Sequence, residues 1–187
     1  EQSLQITMLG KLVESNSKRM IWHNELDGTQ LEFLSGHRIG HTAVVPGTCY
    51  IEIARALVKE VYGETPFALY NLHFIEALFL DEPLSLPLIE TTIRLAESKI
   101  TINSMRAGNA PTHHAEMTLD FSDLAPEAPL QLHELDTLKA QCPLRVAGDE
   151  YYATTGNEYR GEFRTMSDAW VGEGQTLSRV EFEQSEA

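Results

Sequence analysis

The chain has 187 residues, with 14 Lys and Arg against 28 Asp and Glu, a net charge of −14. That length suits one domain of ordinary size with a real core. The acidic balance excludes the basic stripe of a nucleic-acid binder, and no apolar run reaches the length of a membrane span. Two cysteines, Cys49 and Cys142, make no disulfide framework and read as reduced thiols of a cytoplasmic protein. The N-terminus, Glu1-Gln2-Ser3, shows neither an initiator Met nor a signal pattern, so the chain is expected to be a piece of something longer.

In chain order, Leu4 to Val13 alternate loosely and predict a strand, followed by a polar turn over Glu14 to Arg19. Met20-Ile21-Trp22-His23 and Gln30 to Leu34 read as short strands on either side of Asp27-Gly28, a hairpin signal. Pro46-Gly47 then opens a helix, because proline suits a first helical position where its missing N–H would have had no partner. The helix is predicted over Pro46 to Tyr62, stopping at Gly63. Glu52, Arg55 and Lys59 make one narrow polar stripe, and Glu60 is the one charge off it. Tyr50, Ile51, Ile53, Ala54, Leu57, Val58 and Val61 cover most of the remaining surface, so other structure must wrap this helix.

Phe67 to Leu80, between Pro66 and Pro83, is a predicted central strand that bends near Glu76. Ile89 to Leu95, Lys99 to Met105 and His113 to Phe121 are three more, the last two flanking an Arg106-Ala107-Gly108-Asn109 turn. Several strands with one buried helix indicate an α+β fold with an antiparallel sheet. Composition changes at Ser122, where Pro126, Pro129 and acidic residues mark a linker. Leu130 to Cys142 carries a short predicted helix ending before Pro143. Phe163 to Val171 and Gln175 to Phe182 form a predicted hairpin across Gly172-Glu173-Gly174.

Gly36-His37-Arg38-Ile39-Gly40-His41 places a histidine in a glycine-flanked turn just before the long helix. His37-x3-His41-x4-Pro46, continued as Pro-Gly-x-x-Tyr-x-Glu-x-Ala, resembles the HxxxGxxxxP signature of dehydratase domains in polyketide synthases and animal-type fatty acid synthases. His41 stands where that signature has Gly, with Gly40 one place early. The run from Gly156 to Phe163 resembles the family's second signature, GYxYGPxF, at Gly156, Tyr159 and Phe163, with Arg160-Gly161 in place of Gly-Pro. The resemblance implies a hotdog fold, an antiparallel sheet wrapped around a long central helix, here part of a double hotdog. An N-terminal hotdog is expected over 1–121, a linker over 122–147 and the start of a second, incomplete hotdog over 148–187.

The resemblance also implies a reaction, loss of water from a 3-hydroxyacyl group on the phosphopantetheine of an acyl carrier protein, leaving a 2-enoyl thioester. His37 is implied as the base, and an imidazole can take a proton near pH 7. Ile39, Val44 and Val45 are the expected apolar lining. Pro46 and Gly47 are candidates to hold the thioester oxygen, since a helix N-terminus presents free N–H groups and positive dipole to developing negative charge. Tyr159 is implied as support for the acid, which in the family is an Asp of the second hotdog. Glu158, Glu162 and Asp168 do not stand in that Asp motif, so the acid is expected beyond Ala187.

No bound cofactor is expected, and no metal. His37 and His41 would gather a metal only on a helix, which Gly40 opposes, and the adjacent His113 and His114 point to opposite faces of a strand. Cys49, on a mostly buried helix, reads as an inert thiol rather than a nucleophile paired with His37. The implied partners are the carrier protein, neighbouring synthase domains and a second copy in a homodimeric parent, with no nucleic acid and no membrane. Two alternatives stand beside this reading. One is a product-template domain, which uses a similar histidine to steer aldol cyclisation. The other is a degenerate dehydratase kept as a structural module, favoured by His41 and Arg160-Gly161 and opposed by His37, Pro46 and Tyr159.

Overall fold

The computed structural model describes residues 8–80, 87–122 and 134–181. Its elements in chain order are β1 (Lys11–Ser15), β2 (Arg19–Glu25), α1 (Gly28–Leu34), β3 (Arg38–Ile39), β4 (Thr42–Ala43), α2 (Gly47–Tyr62), β5 (Ala68–Phe74), β6 (Leu88–Arg94), β7 (Lys99–Met105), β8 (Thr112–Asp120), α3 (Glu134–Ala140), β9 (Leu144–Ala147), α4 (Gly148–Thr154), β10 (Met166–Gly172) and β11 (Gln175–Val180). They fall into two compact units, one of residues 8–35, 42–80 and 87–122, the other of residues 36–41 and 134–181.

In the first unit six strands form one sheet in the order β1-β2-β6-β7-β8-β5, each pair antiparallel. Alternation along the strands sends Ile89 and Ile93 of β6, Ile100 and Ile102 of β7, and Ala115, Met117 and Leu119 of β8 to one face. That face packs in one apolar cluster with Cys49, Tyr50, Ile53, Ala54, Leu57 and Val58 of α2. An antiparallel sheet closed over one long helix is the hotdog arrangement. The polar stripe of α2 points outward, with Arg55 donating to both carboxylate oxygens of Glu52 at 2.6 and 2.8 Å. Glu60, off that stripe, accepts a 2.9 Å hydrogen bond from the indole N–H of the fully buried Trp22. A buried indole needs such a partner. Ile51 is exposed, so the apolar coat of α2 has one open side.

Local boundaries follow from single residues. Pro46 is the N-cap of α2 (φ −68°, ψ 145°), one place before its predicted position, and Gly63 ends the helix at φ +77°. Gln30 to Leu34 is helix, not strand. The Asp27 carboxylate accepts from Gln30 N at 2.8 Å and the Gln30 amide oxygen accepts from Asp27 N at 3.0 Å, a capping box that starts α1. Asp27-Gly28 therefore opens a helix rather than turning a hairpin. The predicted polar turn shrinks to 16–18, because β1 runs to Ser15 and Arg19 already pairs in β2. Of the predicted first strand, residues 4–7 lie outside the described residues, and 8–10 precede β1.

Phe67 to Leu80 is not one central strand. β5 lies at the sheet edge, kinks at Asn71 (φ +50°) and ends at Phe74. Beyond the bend the backbone turns to residues 43–45, with Val45 N donating to Leu78 O and Leu80 N to Ala43 O, both at 2.9 Å.

In the second unit β11-β10-β9 is a three-stranded antiparallel sheet. Residues 144–147, assigned from sequence to the linker, are thus a paired strand. α3 falls within the predicted 130–142 helix, whose first residues lie outside the described ones, as does Phe182 at the end of the predicted hairpin. That hairpin starts later than expected, because Gly161–Phe163 is a 3-10 turn and β10 begins at Met166. Among the described residues no helix is long and apolar enough to cross a membrane.

Candidate active site

The His37 turn belongs to the second unit and is bound there by residues 157–163. Arg160 N donates to Gly36 O at 2.9 Å and Glu158 N donates to Gly40 O at 3.2 Å. Gly40 N donates to Asn157 Oδ1 at 3.0 Å. The backbone is thereby fixed on both sides of His37. Gly36 is needed for space, since a Cβ there would stand 2.6 Å from Arg160 O and 3.0 Å from Phe163 Cδ2. Gly40 is needed for conformation, at φ +58°. The left-handed residue of the turn is therefore Gly40, and His41 stands where the signature has Gly without having to adopt that geometry.

The His37 ring is half-buried between Tyr159 and Phe163, with centroids 5.5 and 5.4 Å away and planes tilted by 50° and 59°. These are ordinary separations for favourable ring packing. Phe163 closes the 3-10 turn that starts at Gly161 (φ +53°), where the signature has Pro. Tyr152 of α4 fixes the far side. Its Oη donates to Phe163 O at 3.4 Å and accepts from Met166 N at 3.2 Å, and its ring meets Tyr159 edge-on at 5.9 Å. Tyr159 Oη accepts from Asn157 Nδ2 at 3.4 Å. Of the expected lining, Ile39 is corrected, being 54% exposed, while Val44 and Val45 are buried in the first unit; within its own unit His37 has aromatic rings beside it.

His41 is a surface residue. Its Nδ1 lies 2.6 Å from Glu158 Oε1, and Arg160 donates to the other Glu158 oxygen at 2.7 Å. The His41 hydrogen bond, then that of Arg160, holds the Glu158 carboxyl below its usual range. The Arg38 guanidinium donates to the His41 carbonyl. Asp168 is buried on β10 and bound by Arg145 through contacts of 2.6 and 2.8 Å. Glu162 is exposed on the 3-10 turn. Two of the three local carboxylates are therefore already engaged by cations.

Pro46 and Gly47 stand at the start of α2 in the first unit. Cys49 N donates to Pro46 O at 2.9 Å, and a Cβ on Gly47 would come within 3.1 Å of the Phe74 ring. The structure thus brings His37, Tyr159 and Phe163 together in one unit and places Pro46 and Gly47 at the helix start in the other. Burial pushes the Cys49 thiol up to about 11, which keeps it protonated and unreactive at neutral pH. His113 faces Asn103 and Glu116, whereas His114 is buried with its nitrogens on Glu76 O and Ser104 Oγ. Among the described residues no group of three or more His, Cys, Asp or Glu could hold a metal. Sequence reading missed Asn157 and Tyr152. Asn157 occupies the second position of the GYxYGPxF pattern, where its departure from Tyr was the available signal.

A family profile described as polyketide synthase dehydratase domain matches residues 7–104. A mycocerosic acid synthase-like polyketide synthase of Mycolicibacterium smegmatis is 29% identical over 154 residues, which is 81% of this chain and 7% of that protein. The solved dehydratase domain of a mycocerosic acid synthase-like polyketide synthase is 25% identical, with a TM-score of 0.74, over 96% of this chain and 65% of that one. The CurK dehydratase shares the fold at a TM-score of 0.75 and 20% identity, over 93% of this chain and 63% of that one. One His-to-Phe and one Asp-to-Asn form of CurK are each described as inactive mutants. The chain spans a small fraction of the synthase and under two thirds of each solved domain.

Proposed function

The chain belongs to the polyketide synthase dehydratase domain family, and on that premise we propose that it removes water from a 3-hydroxyacyl thioester carried on an acyl carrier protein. The observation that carries this reading is His37 held between Tyr159 and Phe163 on a turn fixed at both ends. The imidazole takes the proton from C2 of the acyl chain. The electron pair left behind forms the C2–C3 double bond as the C3–O bond breaks. The departing hydroxyl takes a proton from an acid and leaves as water, giving a 2-enoyl thioester.

The inactive His and Asp mutants of CurK support a division into one imidazole base and one carboxyl acid. Glu158 and Asp168 are engaged by cations and the exposed Glu162 stands in no Asp motif, so we assign the acid to an Asp beyond Ala187. Tyr159 is assigned to support that acid. The first-turn N–H of Gly47 and the dipole of α2, pre-set by Pro46, are assigned to the thioester oxygen as negative charge develops on it. The elimination breaks C2–H and C3–O with no net oxidation or reduction, so the phosphopantetheine of the carrier is the one prosthetic group that the proposed reaction calls for.

The sheet around α2 is read as the first hotdog and the β9–β11 sheet as the opening of the second. The size of the Mycolicibacterium relative supports a place within a multidomain synthase; that this synthase is cytoplasmic and homodimeric, and sets the chain beside its carrier protein and neighbouring domains, is part of the proposal. The test is His37→Ala in the intact synthase. Dehydration of a carrier-bound 3-hydroxyacyl thioester is expected to slow by about 10²–10⁴-fold, with a much smaller change in KM. Near-normal turnover would reduce His37 to a turn residue and end this mechanism.

A further inference from the structure

We infer that Asn157 is a positioning residue of this site, one that fixes which way the Tyr159 hydroxyl points. The inference rests on the dehydratase reading. A carboxamide has one accepting end and one donating end. A backbone N–H can only donate, so the 3.0 Å contact with Gly40 N fixes Oδ1 toward the His37 turn. The same contact therefore turns Nδ2 toward Tyr159 Oη, 3.4 Å away. Tyr159 oxygen must then accept from Asn157, and its own O–H proton is left to donate to a carboxyl or a substrate oxygen. The amide thus ties two groups together, the turn that carries the base and the hydroxyl assigned to support the acid. Its backbone is pinned as well, with Asn157 N donating to Thr155 Oγ1 at 3.3 Å.

Aspartate at this position separates the two duties. Its carboxylate can still accept from Gly40 N, so the turn keeps its anchor. Toward Tyr159 it can only accept, which reverses the hydroxyl and withdraws the proton from the site.

The experiment compares Asn157→Asp and Asn157→Ala in the full-length synthase, each alone and in a Tyr159→Phe background. It reads kcat and KM on a carrier-bound 3-hydroxyacyl thioester, and deuterium exchange of the peptide spanning Gly40. Asn157→Asp should keep exchange near wild type and KM within about threefold, while kcat falls about 10-fold or more. Asn157→Ala should speed exchange at Gly40 by about 10-fold and also lower kcat. In the Tyr159→Phe background the Asp substitution should change kcat by no more than about twofold, as expected when one residue acts through the other. Wild-type kcat in Asn157→Asp overturns the inference, as does an Asp effect of full size without the Tyr159 hydroxyl, or unchanged exchange in Asn157→Ala. Wild-type turnover that ignores His37→Ala sinks the dehydratase reading and this role with it. Sensitivity to His37→Ala with normal kcat in Asn157→Asp sinks this inference alone.

Discussion

The imidazoles of this chain differ in what their two nitrogens meet, and that decides what each can do. His114 is enclosed, 2% exposed, with Nδ1–H donating to Glu76 O at 2.8 Å and Nε2 against Ser104 Oγ at 2.7 Å. Burial pushes its pKa below the ordinary 6.5, and the Glu76 carbonyl offsets this only in part. The unfolded chain takes up a proton near pH 6.5 that the folded chain refuses. Stability from this site is therefore full above 6.5 and is lost as pH falls from there toward the folded value, by at most about 1.4 kcal/mol per pH unit. Urea midpoints at pH 7.5 and 5.5 should show a larger drop for wild type than for His114→Gln; equal drops would mean that His114 protonates freely in the folded chain. At this scale the sequence was informative where a motif supplied the register, as for His37, Tyr159 and Phe163. It was silent on Asn157, whose duty depends on a backbone N–H 117 positions away. It misjudged Ile39, because a β-branched neighbour of a histidine need not face it.

Among elements, punctuation residues were better guides than alternation. Pro46 and Gly63 bound α2, and β7 falls on its predicted span because Ile100 and Ile102 alternate with Thr101 and Asn103 there. Gln30 to Leu34 also alternates, yet the Asp27–Gln30 capping box makes it a helix, and five residues of alternation are too few to outweigh a reciprocal cap. β5 is rich in apolar residues yet lies at the edge, with Tyr70 and Phe74 about half exposed, so composition alone put it in the wrong place. The close approach at Gly36 yields a prediction for the turn as a unit. Gly36→Ala forces a Cβ into the Arg160 carbonyl and the Phe163 ring, neither of which can rotate away cheaply. Overpacking of this kind costs about 1–3 kcal/mol, and it should release the turn rather than unfold the sheet. The His37 ring-proton shifts imposed by Tyr159 and Phe163 should collapse toward solvent values while the amide spectrum of β6–β8 stays in place. Retained ring shifts would show that the segment has room to yield.

For the whole molecule, the question is which groups the described chain can contribute to elimination. It offers an imidazole held in place, which we propose as the base, while Glu158 and Asp168 are bound by Arg160 and Arg145 and Glu162 lies exposed outside any Asp motif. Residues 1–187 expressed alone should therefore dehydrate a 3-hydroxyacyl thioester at least about 10²-fold more slowly than the intact synthase. The check is a paired assay following enoyl absorbance on one substrate. Comparable rates would place the acid within this chain and make Glu162 the first residue to replace.

The binding of the His37 turn by residues 157–163 also sets a clock on biosynthesis. Gly40 leaves the ribosome 117 residues ahead of Asn157, roughly 6 to 23 s at ordinary elongation rates. The segment matching the family profile, which ends at residue 104, is complete well within that delay. A ribosome stalled at that point would present a nascent chain that already carries the imidazole and lacks both rings that orient it.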